Sequence, residues 1–190
     1  MLLTSHAAFA WALTRRPLLT IGAVGPDLPA LAFAVKDFVT GTPRDKVLHR
    51  AYRLPHRRQA HRLGHSVATP ATLGVLGARQ LAIGWLSHQV VDVATHHTDA
   101  WAPFWPAWTW RFRSPVSYWE VDHHARAFQL TESLALALFA ARARGPERLG
   151  LGVALVFAAL PLLHDNAHGL PGFAGLRDRV RPRAAVPPAS

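Results

Sequence analysis

Residues 84–97 read GWLSHQVVDVATHH, an apolar stretch in which His88, Asp92 and His96 recur at intervals of four residues. Side chains four residues apart lie one above the other on the same face of an α-helix. The stretch closes the longest helical pattern of the chain, from 71 to 97, and predicts a helix with two imidazoles and a carboxylate along one stripe. Three glycines are candidate interruptions of this helix: Gly74, Gly77 and Gly84.

The other segments also follow a helical pattern, and none alternates between apolar and polar residues as a half-buried strand does. Predicted helices cover residues 2–14, 18–35, 130–143 and 149–168, with a bend in the second at GPDLP. Pro55 argues against one long helix in the polar segment between 36 and 62. The spacing of Ser117 and Glu120 matches a capping box and predicts a short helix through His124.

The length of 190 residues favours a single domain. We predict an all-α fold, with one bundle of five to seven helices over residues 1–176 and a long aromatic loop. The bundle is either soluble or embedded in a membrane. The basic, proline-rich tail at 177–190 is expected to be disordered.

The composition limits the chemistry of any site. The chain has no cysteine, which excludes disulfides, thiolate zinc sites, iron–sulfur clusters and a cysteine nucleophile. Any metal would therefore be held by imidazole and carboxylate groups, and the twelve histidines fall largely in clusters. The net charge of +10 fits a nucleic acid, an anionic lipid or simply an arginine-rich composition.

Four further polar residues stand in apolar or bent surroundings and have metal-ligand chemistry: His6, Asp27, His61 and His65. His61 and His65 repeat the four-residue spacing, with arginines around them. A solvated basic segment is the favoured interpretation for His61, whereas a site role is favoured for His65. Asp27 lies between two prolines, where it is either a helix N-cap or a ligand. For His6, and for the pair His88 and Asp92, a structural role in the core is the competing interpretation.

In this order, the motifs resemble those of a family of small bacterial proteins described as membrane-bound metal-dependent hydrolases, which look like distant helical relatives of zinc-dependent phospholipase C. The family pattern has an N-terminal His, then Gly-x-x-x-Pro-Asp, His-Arg followed by His-Ser, and His-x-x-x-Asp-x-x-Thr. The matching residues here are His6, GAVGPD ending at Asp27, HRLGHS at 61–66 and HQVVDVATH at 88–96. The resemblance covers about residues 2–120, and the last motif is the most specific. The glycine usual after the first histidine and the threonine before the second central histidine are absent.

The resemblance implies a metal centre built from His6, Asp27, His65, His88 and Asp92, with His61 and His96 as further candidates. Zinc is the first expectation for such imidazole and carboxylate ligands, with manganese and iron as alternatives. The implied activity is metal-dependent hydrolysis of a phosphoester or lipid-like substrate by an activated water. Asp92 and His96 are the candidate catalytic residues, because either can accept or orient a proton beside the metal.

Aromatic residues crowd the segment 101–119: Trp101, Phe104, Trp105, Trp108, Trp110, Phe112, Tyr118 and Trp119. Packing over the helices, a membrane-interface belt and a substrate platform are the three interpretations. Arg111 and Arg113 suit a phosphate or a lipid headgroup in the last case, or plain solvation.

Two more histidine groups lie after this loop. His123, with Asp122 and Glu120, would supply an extra ligand or a base, but we favour a structural role. His164 and His168 lie near the predicted end of the last helix, where histidine favours the helix dipole, and we interpret them as structural.

We expect membrane association, with a cytoplasmic location as the alternative. No secretory signal is evident. Segment 17–35 is long enough to span a bilayer although Asp27 interrupts it at a cost of about 3 kcal/mol, whereas 149–163 is short for a span.

The expected partners are a small-molecule or lipid-like substrate and a membrane surface. Two other functions compete with hydrolysis: a non-catalytic helical membrane protein with structural His and Asp residues, and a basic peripheral protein that binds anionic lipid or nucleic acid. No nucleic-acid motif accompanies the basic charge, which makes a nucleic acid the less favoured partner.

Overall fold

The computed structural model describes residues 2–43, 46–47, 50–51 and 54–163, and it confirms the predicted all-α class. In the described part of the chain, the α-helices whose two ends are defined are α1 (Leu3–Thr14), α2 (Pro17–Val24), α3 (Leu28–Val39), α4 (Pro55–Gly64), α5 (Ala68–Val75), α6 (Arg79–Thr95), α7 (Ala125–Arg142) and α8 (Pro146–Leu163). Two 3₁₀ turns, Gly25–Asp27 and Val121–His123, precede α3 and α7. Within these described ranges no residue is in a β-strand.

The bend predicted at GPDLP separates α2 from α3. Pro26 and Pro29 lack the N–H that a continuous helix would need, so the chain tightens into the 3₁₀ turn and α3 restarts at Leu28. Despite the bend, Pro17–Val39 is the one described helical stretch that is long and apolar enough to cross a membrane. Only 28% of its most apolar window is buried inside the protein.

The helical pattern from 71 to 97 is divided between two helices. Gly77 has a φ of +84°, in the left-handed region that favours glycine, so α5 ends at Val75 and α6 begins at Arg79. Gly74 and Gly84 lie inside helices and interrupt neither of them. His96 is the C-cap of α6 and is already extended, with φ −123° and ψ 133°.

The prediction of a short helix from Ser117 through His124 is wrong, because this segment contains only a 3₁₀ turn, Val121–His123. Ser117 makes the hydrogen bond expected of a capping box, because its Oγ accepts the N–H of Glu120 at 3.3 Å, but the residue that precedes the turn as its N-cap is Glu120. The chain then makes only a 3₁₀ turn, because His124 adopts a left-handed φ of +64° before α7 begins.

An apolar core lies between α1, α7 and α8. Its buried members are Ala8, Leu136, Ala143, Leu151, Ala154 and Ala158. Phe9 and Phe139 pack edge to face beside it, with ring centroids 6.0 Å apart. This core fixes α1, and therefore His6, against the rest of the bundle.

Two glycines allow α2 and α6 to pack with their backbones in contact. A Cβ on Gly22 would lie 2.3 Å from the carbonyl oxygen of Leu81, and one on Gly84 would lie 2.0 Å from that of Leu19. No side chain fits at these distances, so this approach of the two helices requires glycine at both positions.

A buried ion pair joins α3 to α4. The guanidinium of Arg57 donates to both carboxylate oxygens of Asp37, at 2.6 and 2.9 Å, and lies over the ring of Phe33. Arg57 and His61 are both buried. The solvated basic segment, which was the favoured prediction for His61, is therefore wrong.

Several predictions fall outside the described residues. These are the end of the domain at 176, the tail at 177–190, and the helix end with His164 and His168, since the description of α8 stops at Leu163.

Candidate metal centre

Five predicted ligands meet between the helices: His6, Asp27, His65, His88 and Asp92. The first comes from α1, the second from the 3₁₀ turn, the third from the end of α4, and the last two from α6. All are buried except Asp27, whose side chain is 19% exposed. Asp27 therefore marks the side of the centre that faces solvent.

Asp92 is the hub of the group. Its Oδ2 lies 3.1 Å from Nε2 of His88 and 3.2 Å from Nε2 of His65. Its Oδ1 lies 3.3 Å from Nε2 of His6 and 3.5 Å from Nε2 of His96. Burial acts to raise the pKa of Asp92, but the histidines outweigh it and hold that pKa well below its usual range. The carboxylate is therefore ionised, as a metal ligand must be.

Two overlapping sets of ligand atoms share His88. One is His6, His88 and Asp92, the other is Asp27, His65 and His88, and in each set the candidate atoms lie within 4.8 Å of one another. Nitrogen and oxygen donors this close can converge on a divalent cation. The centre thus has enough donors for one cation or for two neighbouring cations.

Backbone carbonyls orient two of the imidazoles. Nδ1 of His88 lies 2.7 Å from the carbonyl oxygen of Ala23, and Nδ1 of His65 lies 3.0 Å from that of His61. A carbonyl only accepts, so each Nδ1 carries the proton and each Nε2 is left toward the carboxylates. Metal-binding histidines are commonly held in this way.

His6 and His88 stack, with ring centroids 3.7 Å apart and ring planes 14° apart. Burial lowers the pKa of His6 to about 4, so this imidazole is neutral at neutral pH. Burial also acts to lower the pKa of His88, but the adjacent Asp92 outweighs it and raises that pKa. His6 could bind a metal without first losing a proton.

His96 lies between two carboxylates. Its Nε2 is 3.5 Å from Asp92, and its Nδ1 is 2.8 Å from Oδ2 of Asp99. Burial acts to lower the pKa of His96, but Asp92 and Asp99 outweigh it and raise that pKa to about 9. In the metal-free protein this imidazole therefore carries a proton at neutral pH, beside the ligand cluster.

His61 occupies a different position from the other predicted ligands. It belongs to neither of the two ligand sets. Its ring lies against His65 and Trp101, with centroids 4.1 and 4.3 Å away, and its carbonyl oxygen accepts from His65. Burial lowers the pKa of His61 well below its usual value. The geometry makes His61 a support for His65.

Side chains of α6 hold the segment that carries His65. Nε1 of Trp85 and Nε2 of Gln89 donate to the carbonyl oxygen of Gly64, and Gln89 also donates to that of Ser66. A Cβ on Gly64 would lie 2.5 Å from the carbonyl oxygen of Pro26. This close contact brings the end of α4 against the turn that carries Asp27.

The residues fit a divalent metal better than the alternative readings. Asp27 occupies the N-cap position of α3 but makes no side-chain capping hydrogen bond, so capping does not engage its carboxylate. Isolated structural histidines would each need only a local partner. Here polar groups from four separate elements aim at one another, and imidazole with carboxylate is a common donor set for zinc.

The aromatic loop is divided in its packing. Trp101 lies against His61 and His65, and Tyr118 is fully buried. Four other rings lie in a row, with two stacked contacts and a tilted one at the end, and are each at least 42% exposed: Phe104, Trp108, Trp110 and Phe112. The first group fits packing over the helices, whereas the exposed row, here called the aromatic row, remains available for a membrane or a substrate.

Sequence reasoning missed Trp85, Gln89 and Asp99. Asp99 had a detectable signal, because it follows His96 by three residues in the same segment. The sequence carries no such signal for Trp85 and Gln89, because their hydrogen bonds depend on where the end of α4 lies in the folded protein. Another unpredicted group is Glu132 on α7, which is buried facing the hydroxyls of Ser5 and Tyr118.

Comparison with protein-family models, with curated proteins and with solved structures finds no match for this chain. The resemblance to membrane-bound metal-dependent hydrolases thus stays a prediction, carried by the motifs and by the place where their residues meet.

Proposed function

We propose that the protein is a metal-dependent hydrolase that acts on a phosphoester or lipid-like substrate, with zinc as the first choice of metal. The observation that carries the proposal is the convergence of His6, Asp27, His65, His88 and Asp92. A bound divalent metal would supply a water of lowered pKa and a Lewis acid for the scissile group.

The chain would contribute ligands and a proton carrier. His6, His65 and His88 are the nitrogen ligands, and Asp27 and Asp92 are the oxygen ligands. His96 is placed to hold or move a proton beside Asp92, with Asp99 fixing the orientation of its ring. Asp27, the most exposed member, lies where substrate would enter.

A lipid-like substrate agrees with the apolar outer surface. Large apolar side chains are exposed along several helices, among them Leu18, Ile21, Leu31, Val35 and Phe38 on α2 and α3, and Leu149, Val153, Val156 and Phe157 on α8. Soluble monomers rarely expose so much apolar surface. We propose that these faces and the aromatic row associate with a membrane, because Trp side chains favour the headgroup region.

The test is hydrolysis of a generic phosphodiester and of a phospholipid by purified protein, before and after treatment with a chelator. We expect turnover to disappear with the chelator and to return when zinc, manganese or iron is added. If a broad panel of esters and phosphoesters shows no metal-dependent turnover while the protein retains its metal, the hydrolase proposal fails. A structural or sensory metal site would then account for the same ligands.

A further inference from the structure

We propose a second metal site, distinct from the centre around Asp92, that is formed by His97, Glu120 and His123. Candidate ligand atoms of the three side chains lie within 4.8 Å of one another. The ligand it would take is a divalent transition metal such as zinc, because the donors are two imidazoles and one carboxylate. None of these residues belongs to the first centre.

The backbone explains why neighbouring histidines serve different sites. His96 is extended, and successive side chains of an extended chain point to opposite sides. The ring of His96 therefore turns toward Asp92, and that of His97 turns the other way. His97 stacks on His123, with ring centroids 3.7 Å apart and ring planes 22° apart.

His97 is oriented as a ligand would be. Its Nδ1 lies 2.7 Å from the carbonyl oxygen of Ser114, so Nδ1 carries the proton and Nε2 is the atom left for a metal. The segment that supplies this carbonyl is itself fixed, because the N–H of Ser114 donates to the carbonyl oxygen of His96.

Glu120 has one oxygen engaged and one directed at His123. Its Oε1 accepts from the N–H and hydroxyl of Thr98, both at 3.0 Å, and from the hydroxyl of Ser117 at 3.2 Å. Its Oε2 lies 4.0 Å from Nε2 of His123. Glu120 is only 4% exposed, and hydrogen bonds to one oxygen of a buried ligating carboxylate are a usual supporting arrangement.

The geometry also allows closure around an ion. Ligand atoms on a tetrahedral zinc ion, each about 2.0–2.2 Å from the metal, stand about 3.4 Å apart. The side chain of His123 is 32% exposed, which leaves room for its ring to rotate out of the stack on His97 and toward an ion. Three protein ligands would leave a fourth position for water.

The experiment is zinc titration of chelator-treated, full-length protein by calorimetry, with elemental analysis after dialysis. We expect His97→Ala and His123→Ala each to bind about one equivalent of zinc less than wild type. His56→Ala, which removes an exposed histidine outside both clusters, and Asp122→Asn, which removes a neighbouring exposed charge, should bind as wild type does.

His88→Ala separates this proposal from the hydrolase proposal, since it should reduce zinc at the first centre and leave the second. Circular dichroism checks folding, and His123→Gln replaces His123→Ala if the alanine variant loses helicity. Equal zinc stoichiometry in wild type, His97→Ala and the folded His123 variant overturns the second site, whether or not the protein shows turnover.

Discussion

Nδ1 of His88 on α6 donates to the carbonyl oxygen of Ala23 on α2 at 2.7 Å, so a single hydrogen bond ties a proposed ligand to the contact between two helices. The residues that allow this contact are Gly22 and Gly84. The position of the ligand therefore depends on two residues that carry no chemistry of their own.

Gly84→Ala should separate the two helices, because the new Cβ would lie 2.0 Å from a backbone oxygen that cannot rotate away. We expect a loss of about 1–3 kcal/mol or more in the free energy of unfolding, and weaker zinc binding. Thermal unfolding with and without zinc measures both effects. Gly150→Ala on α8 is the matched control, since its Cβ meets open space and should be neutral or stabilising by up to about 1 kcal/mol. Equal effects of the two variants would contradict this account.

His88→Ala and Asp92→Ala should each remove most of the metal from the first centre. His88 belongs to both ligand sets, and Asp92 contacts four histidines. Elemental analysis should find one or two equivalents of divalent metal fewer in each variant than in wild type, because the second site proposed above would keep its own ion, and His56→Ala is the control. Metal content that is the same in all four proteins would rule out the assignment.

His96 should make the stability of the metal-free protein depend on pH. Its pKa is raised in the folded state from 6.5 to about 9, so its stabilising contribution is complete below about pH 6.5 and is lost as the pH rises through about 9. The upper limit of this contribution is about 3 kcal/mol. Thermal unfolding between pH 6 and 9.5 should show the decline in wild type and a flatter profile in His96→Ala. Parallel profiles would show that His96 does not titrate as described.

In the proposed hydrolase, His96→Ala should lower turnover more than metal occupancy, because a proton carrier contributes about 10²–10⁴-fold to rate. The measurement is the ratio of turnover to bound metal, compared with that of His88→Ala. A variant that loses metal as completely as His88→Ala would identify His96 as a ligand.

Membrane association should appear on cell fractionation, with the protein in the membrane fraction until detergent is added. Replacing the exposed Trp108 and Trp110 by Ser should weaken binding to phospholipid vesicles, because these rings supply apolar area at headgroup depth. Protein that stays monodisperse in the supernatant without detergent would instead favour a soluble helical domain.

The sequence allowed the helices and the stripe on α6 to be predicted, because periodicity and proline positions are local properties. The break at Gly77 was one of three glycine candidates, and only the backbone angle distinguishes it from Gly84. Gly84 lies inside the helix, at a close contact with α2. The need for glycine at this position comes from tertiary packing and has no local signal in the sequence.

The residues that meet around Asp92 were predictable in identity, but their arrangement was not. Spacing alone places His88 beside Asp92, whereas the contacts of Asp92 with His6 and His65 depend on how distant helices pack. His61 has the same four-residue spacing as His65 but belongs to neither ligand set. It lies inside α4, whereas His65 is the C-cap residue at the end of that helix. A structural role was the favoured prediction for His123, and the structure places its ring against His97, a neighbour that the sequence did not suggest.

The ligands of the first centre also impose an order on its assembly during synthesis. A chain elongated only to residue 80 contains His6, Asp27 and His65 but not His88, which both ligand sets at this centre require. Neither candidate set is therefore complete when only the first helices have left the ribosome. In the proposed metal centre, loading would therefore wait until α6 has emerged and packed against α2.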